Sequence, residues 1–283
     1  MKILVASSNP HKIEEIRAMF TECNSSESPP DSSPDSPPES PPESPPKPTA
    51  LRRGLPTLET PPKPSSDGNV ETVELVSLSD LGLVISEPVE DEPTFEGNAL
   101  KKARYYAQAS GMLCLADDSG LEVDALGGEP GVRSARYAGV SGPRAVVDPA
   151  NNKLLLQRLE SVPAVRRTAR FVCAMALSGS LPWENSSSPA RGAATNLVAG
   201  QWPGIVVRGT VEGRILLPEE CADPTQPWRG RGSSGFGYDP LFYFPERGQT
   251  TAELSAADKN AISHRGNASR LMWKEIARLC AGR

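Results

Sequence analysis

Histidine is nearly missing, with two in 283 residues, so neither a three-histidine zinc site nor an HExxH metalloprotease helix is available. Cysteine is sparse as well. The five thiols (Cys23, Cys114, Cys173, Cys221 and Cys280) are odd in number, widely spaced and without a CxxC pair. That excludes a dense disulfide framework and predicts reduced, mostly buried side chains in a cytosolic type of compartment. No apolar run approaches the roughly 20 residues of a membrane span, and the one between Met1 and Ser8 is too short for a signal peptide. A soluble, cytoplasmic protein without a membrane partner is expected. A Walker A loop, GxxxxGK[ST], occurs nowhere. Aromatics make up only 5% and hydrophobics 37% of the chain, little for one that is folded throughout.

Proline, by contrast, is abundant, and about half of the 29 prolines lie between Asn24 and Asn69. This stretch includes Ser36-Pro-Pro-Glu-Ser-Pro-Pro-Glu-Ser-Pro-Pro46, which can neither continue a helix nor pair as a strand. It reads as a disordered insertion, partly polyproline II, over 24–69. Lengthening a loop from about six to about 46 residues costs roughly 2 kcal/mol, which a domain can absorb. The segment holds four basic and seven acidic side chains, so of the overall charge of −5 about −2 is left for the remainder. A body so close to neutral has no broad basic field for a nucleic acid polymer. Anions must be bound by local groups.

Outside the insertion the pattern is that of one mixed α/β domain over 1–283, with a second variable loop at 184–204. Ile3 to Ala6 reads as a strand, followed by a helix that Asn9 caps and Pro10 opens, with Ile13, Ile16 and Phe20 on one face. Val73 to Leu78 reads as a strand. Thr94 caps a helix through Ser110, Leu100, Ala103 and Ala107 face inward, and Gly111 ends it. Met112 to Ala116 reads as a strand running into Asp117-Asp118-Ser119-Gly120, with Leu121 to Leu126 a second strand or hairpin arm. A further helix is expected from Asp148-Pro149, long strands at 170–177 and 205–217, and a last helix from Ser263 to Leu279 with Leu271, Met272, Ile276 and Leu279 on one face.

Four clusters carry chemistry. Ser7-Ser8-Asn9-Pro10-His11-Lys12 brings small polar residues and a cation to a helix N-terminus, whose free N–H groups and dipole suit phosphate; the same residues also fit an ordinary capped helix. Asp117 and Asp118 end an apolar strand, where burial and mutual repulsion raise carboxyl pKa values and a divalent cation relieves both. Otherwise they start an acidic turn. Gly230 to Pro240 combines glycines with Phe236 and Tyr238, faces on which a base can stack, or is a bare mobile loop. Lys259 and Ser263-His264-Arg265 put cationic groups near a helix N-terminus, where they oppose the dipole and suit an anionic or carbonyl-rich ligand better than helix stability.

Five motifs then occur in order: Ser-x-Asn-x-x-Lys at 7–12, Ala-Asp-Asp-Ser-Gly-Leu at 116–121, Gly128-Glu-Pro-Gly131 with Ser134-Ala-Arg-Tyr137, Phe236-Gly-Tyr-Asp-Pro240, and Ile262-Ser-His-Arg265. Together they resemble the inosine triphosphate pyrophosphatase (ITPase) family. The resemblance reaches both ends of the chain and fails only in the Pro/Ser segment and around 180–205. It implies a strongly twisted mixed sheet flanked by helices, with two lobes and a cleft between them, and a homodimer. The activity implied is hydrolysis of the non-standard purine nucleotides ITP, dITP and XTP to monophosphate and pyrophosphate, with Mg2+. Ser7 to Lys12 would hold the phosphates, and Asp118 would ligate magnesium and accept the proton of the attacking water. Ser119 would touch substrate, Phe236, Gly237, Tyr238 and Asp239 would enclose the base, and Lys259, His264 and Arg265 would read its keto edge.

The pattern departs at the second helix, where many relatives carry Thr-Phe-x-Glu-Asn with the glutamate as metal ligand. Here Thr94-Phe95-Glu96-Gly97-Asn98 puts Glu96 one position early, so that it either reaches the metal or serves the helix dipole. Asp117 would be a further metal ligand or a support for Asp118. The alternatives are a pyrophosphatase of other modified or standard nucleotides, or a scaffold acting through the PxxP strings of the insertion.

Overall fold

Short runs of alternating apolar residues build a single seven-stranded sheet in the computed structural model, which describes residues 1–7, 10–26, 73–180 and 204–281, and of residues 10, 11 and 22–26 the backbone alone. The strands are β1 (Lys2–Val5), β2 (Glu74–Ser77), β3 (Cys114–Val123), β4 (Thr168–Ser178), β5 (Gly204–Ile215), β6 (Phe242–Phe244) and β7 (Gln249–Thr250), ordered β2-β1-β3-β4-β5-β6-β7. β1 pairs in parallel with β2 and β3; every later pair is antiparallel. The helices are α1 (Pro10–Ser26), α2 (Phe95–Ser110), α3 (Arg144–Arg158), α4 (Ala256–Ile262) and α5 (His264–Ala281). This bears out a mixed α/β sheet flanked by helices.

Successive side chains of a strand point to opposite faces, and the core divides accordingly. Ile3, Val5, Leu113, Leu115, Cys173, Met175 and Leu177 pack with Ile16 and Phe20 of α1 and with Met272 and Ile276 of α5. Leu4, Ala6, Cys114, Ala116, Val172, Ala174 and Ala176 pack with Phe95, Ala99, Ala103 and Tyr106 of α2 on the other side. A third cluster joins the far ends of β3 and β4 to α3 and β6. The parity of a residue number on β3 or β4 thus decides which helices its side chain meets.

α2 has the expected limits: the Thr94 hydroxyl accepts from the Gly97 N–H at 3.1 Å, and Gly111 closes the helix at φ 69°. Elsewhere the structure corrects the reading. The acidic stretch is no turn, because β3 runs unbroken from Cys114 to Val123 and pairs with β4 throughout. α3 begins at Arg144 with Pro143 as its N-cap, and holds Pro149 inside it. α1 continues to Ser26, three residues into the stretch read as insertion, and the remainder of 24–69 lies outside the described residues, as does 184–203. Leu271 is exposed on α5; Ala268 and Trp273 complete the buried face with Met272 and Ile276. Among the described residues no helix is long and apolar enough to cross a membrane.

Gly209 of β5 lets α5 lie directly on the sheet. A Cβ there would come within 2.3 Å of the Ala268 nitrogen and the His264 carbonyl oxygen, both of them backbone atoms. Gly209→Ala is therefore expected to lower stability by about 1–3 kcal/mol in urea denaturation. It should also displace the first turn of α5, which carries His264 and Arg265.

Candidate active site

The cleft, of about 590 Å³, opens where the C-terminal ends of β1 and the apolar half of β3 meet α3, α4 and the head of α5. It brings together Ser7, Lys12, Asp117, Asp118, Ser119, Phe236, Gly237, Tyr238, Asp239, Lys259, His264 and Arg265. Ser8 and Asn9 lie outside the described residues, as do the side chains of Pro10 and His11. Glu96 is not brought in: it does not line the cleft, and its carboxylate takes the Arg208 guanidinium at 2.9 Å.

Strand parity separates the two aspartates. Asp117, odd-numbered, turns to the α1 and α5 side, where Lys12 Nζ lies 3.0 Å and Arg265 Nη2 3.5 Å from its Oδ2. Burial works to raise its pKa, but the Lys12, Arg265 and Lys102 cations hold the carboxyl well below the usual carboxylate range. Asp118 turns to α2. Asn98 Nδ2 donates to its Oδ2 at 3.1 Å, and Lys102 Nζ stands 3.8 Å from Oδ1. Here burial prevails, helped by the nearby Glu90 carboxylate, and the pKa rises to about 6 against the pull of Lys102, Lys12 and Asn98. Two neighbours in sequence become one permanently ionised group and one poised near neutrality.

Lys102 is shared. Its ammonium meets Glu90 Oε1 at 2.6 Å on one side and Asp118 on the other. Burial disfavours its charge, yet Asp117, Asp118 and Glu90 outweigh that and raise its pKa. Arg265, also buried, pairs with Glu15 of α1 and donates to the Ser119 hydroxyl at 3.0 Å, while Ser119 donates in turn to Asp117 at 3.4 Å. Its Nε has no hydrogen-bond partner among the described residues.

The other end of the cleft is aromatic. The Phe236 ring lies with the Arg144 guanidinium carbon 4.3 Å and Lys259 Nζ 5.4 Å from its centroid. Buried Asp239 holds this loop in shape, accepting from the Phe236 N–H at 2.8 Å and from Lys259 at 2.7 Å. Gly237 is fixed from α3, its N–H donating to Asp148 at 2.9 Å and its carbonyl accepting from Asn152 at 3.2 Å. Tyr238 is not a free stacking face; it is buried, and its hydroxyl donates to the Ser134 carbonyl. His264 stacks on Phe171 at 5.1 Å. Burial, with the Arg265, Lys259 and Lys12 cations, pushes its pKa well below the ordinary value and keeps the imidazole neutral.

Sequence reasoning missed Glu15, Glu90, Asn98, Lys102, Arg144 and Asp148. A signal existed for some. Glu15 is three residues after Lys12, and Lys102 four after Asn98, so each pair shares a helix face.

A model of the Ham1 family matches residues 65–275. The chain is 43% identical over 214 residues to a dITP/XTP pyrophosphatase of Nocardia farcinica, covering 75% of this chain and 86% of that protein. It is 40% identical over 201 residues to a dITP/XTP pyrophosphatase of Yersinia pseudotuberculosis, covering 71% and 84%. Among solved structures, a HAM1 protein from Coxiella burnetii superposes with a TM-score of 0.62 at 27% identity, over 98% of this chain and 99% of that one. The Ham1 protein of Staphylococcus aureus gives 0.61 at 28%, over 99% and 100%.

Proposed function

The chain belongs to the Ham1 family, and from that premise and the chemistry of the cleft we propose that it hydrolyses ITP, dITP and XTP to the monophosphate and pyrophosphate. The observation that carries this is one cleft that joins a helix N-terminus with Ser7, Lys12 and the aspartates to Phe236 with Arg144 and Lys259, with Arg265 on the side of Asp117 and Ser119. Triphosphate lies toward the helix N-terminus and base toward Phe236. The names of the relatives point to the same substrates.

Asp118 is the proton acceptor. Water adds across the anhydride bond between the α- and β-phosphates, its oxygen joining phosphorus, its proton passing to Asp118 and pyrophosphate departing. A carboxylate titrating near 6 is a stronger base than an ordinary aspartate at about 3.9. Lys102 and Asn98 hold it in place, and Lys12 with the α1 N-terminus attracts the phosphates.

Magnesium suits the donor set. Asp118 and Glu90 flank the Lys102 ammonium from two sides, and this pair of carboxylates is what supports a cation position there. Such an ion takes one or two carboxylates and completes its shell with water and substrate phosphates. When bound there, the ion would neutralise phosphate charge and polarise the attacked phosphorus. Asp117, already claimed by Lys12 and Arg265, is a support for these cations and not a ligand.

At the base, a six-keto oxygen accepts from Lys259 or Arg265, whereas adenine's amino group sets donors against donors, and buried groups left unpaired discriminate steeply. The single-domain reading of 1–283, with 24–69 and 184–204 as insertions, is supported by sheet pairing across both: Lys2 registers with Glu74 and Ser178 with Gly204. A homodimer, acting in the cytoplasm on free nucleotides, completes the proposal.

The test is the product. Inosine triphosphate with magnesium is expected to yield pyrophosphate and inosine monophosphate, faster than adenosine triphosphate does. Orthophosphate as first product would overturn the assignment.

A further inference from the structure

Arg144 stands apart from the other cations of the cleft. Lys12, Lys102, Lys259 and Arg265 each meet a carboxylate, while Arg144 forms no ion pair among the described residues and rests on the Phe236 ring, 4.3 Å from its centroid. Its place is built. Residues 144, 148 and 152 follow one another at four-residue intervals, which puts them on one face of α3. All three grip the same two residues: Arg144 the Phe236 ring, Asp148 the Gly237 N–H and Asn152 the Gly237 carbonyl. The first turn of α3 serves this contact. It also lines the cleft through Arg144, Val147 and Asp148.

We propose that Arg144 is the second jaw of the base clamp, a specificity-determining residue whose guanidinium closes over the purine that Phe236 stacks from the other side. This rests on the assignment of the aromatic end to the base. At 4.3 Å the guanidinium and the ring are in van der Waals contact, so no base fits between them until Arg144 lifts by one ring thickness. The side chain is exposed and long, and that movement breaks no ion pair among the described residues. The purine then exchanges one π-face for another beneath the cation, and the planar guanidinium stacks on it as it did on Phe236. A two-ring base offers more face to this sandwich than a one-ring base. The clamp thereby favours purines over pyrimidines by area, apart from any reading of the keto edge. Lys259 cannot do the same, because Asp239 holds its ammonium at 2.7 Å.

The test compares wild type with Arg144→Ala and Arg144→Lys by steady-state kinetics on inosine and uridine triphosphates, by calorimetric binding of inosine triphosphate, and by the inhibition constant of tripolyphosphate, which has phosphates and no base. The alanine variant is expected to raise KM and Kd for inosine triphosphate about five- to thirty-fold with kcat within about twofold, and to narrow the preference for inosine over uridine. Lysine, which keeps the charge and loses the plane, should recover less than half of the loss on a logarithmic scale. The tripolyphosphate inhibition constant and the melting temperature should stay put. An unchanged KM and Kd would overturn the clamp, and so would an equal weakening of tripolyphosphate, which would make Arg144 a phosphate-binding cation. Wild-type protein that neither binds nor cleaves inosine triphosphate would instead overturn the proposed function itself.

Discussion

Asp118→Asn is expected to lose about 10²–10⁴-fold in pyrophosphate release and yet to melt at a higher temperature than the wild type. Both effects come from one fact, that burial lifts this carboxyl to about 6 while an unfolded aspartate titrates near 3.9. Between about pH 4 and pH 6 the folded chain binds more protons here than the unfolded chain does. Stability therefore falls as pH rises through that window. At pH 7 the folded state carries the full cost of a buried charge, on the order of 1–3 kcal/mol, and asparagine removes it while its carbonyl oxygen can still accept from Asn98. Melting should be followed in chelator, so that the carboxyl alone is read. The wild-type midpoint is expected to drop from pH 4 to pH 6.5 relative to the variant, and the variant should be the more stable above pH 6. Activity within tenfold of wild type would remove Asp118 as proton acceptor. Equal stability of the two proteins at pH 7 would mean that Lys102 and Lys12 offset the burial completely.

The same pair of residues shows what could be read from the sequence and what could not. Acids at the end of an apolar run were enough to mark Asp117 and Asp118 as chemistry. Their mutual repulsion was the wrong mechanism, because it assumed that the two share one environment. A turn would have allowed that. An unbroken β3 forbids it, since alternation sends Asp117 to the cations of α1 and α5 and Asp118 to α2. Continuity of that strand depends on ten registered partners in β4, contacts 46 to 64 residues away along the chain and invisible in a local window. α2 was legible from its caps alone, because Thr94 and Gly111 act through neighbouring backbone. α3 was not: Asp148-Pro149 resembles a helix start, whereas Pro143 performs that role and Pro149 is carried inside the helix. Misplacing that turn hid Arg144 and Asp148 together. Glu90 had no local signal at all; it reaches the site from an irregular stretch whose course is set by Lys102 and by the Arg136 guanidinium, which donates to the Glu90 carbonyl.

Removing Arg167 is expected to destabilise the protein by about 3–5 kcal/mol, more than the Gly209→Ala clash beneath α5. This guanidinium is 1% exposed and among the described residues has no carboxylate against it. Its partners are three backbone carbonyls: Val162 at 2.8 Å from Nε, Leu216 at 2.8 Å from Nη1 and Leu159 at 2.7 Å from Nη2. Burial lowers its pKa, with Glu219 and Glu220 pulling the other way from a distance. A charge so placed is costly, but its loss is costlier. Arg167→Leu fills much of the volume but leaves the Val162 and Leu216 carbonyls dry, each with a desolvation penalty of about 1–3 kcal/mol when unmade, while the Leu159 carbonyl keeps the Val162 N–H. Leu159 lies just past the C-terminus of α3, where a cation also favours the helix dipole, and Leu216 follows directly on β5. The side chain thus ties α3 to the far end of the sheet. Arg167→Lys keeps the charge and reaches fewer carbonyls, so about half of the loss should remain. Because α3 carries Arg144 and Asp148, the variants that still fold should bind inosine triphosphate more weakly and tripolyphosphate as before. Urea denaturation of Arg167→Leu with a loss under 1 kcal/mol would show that other donors or water satisfy those carbonyls, and would release α3 from this anchor.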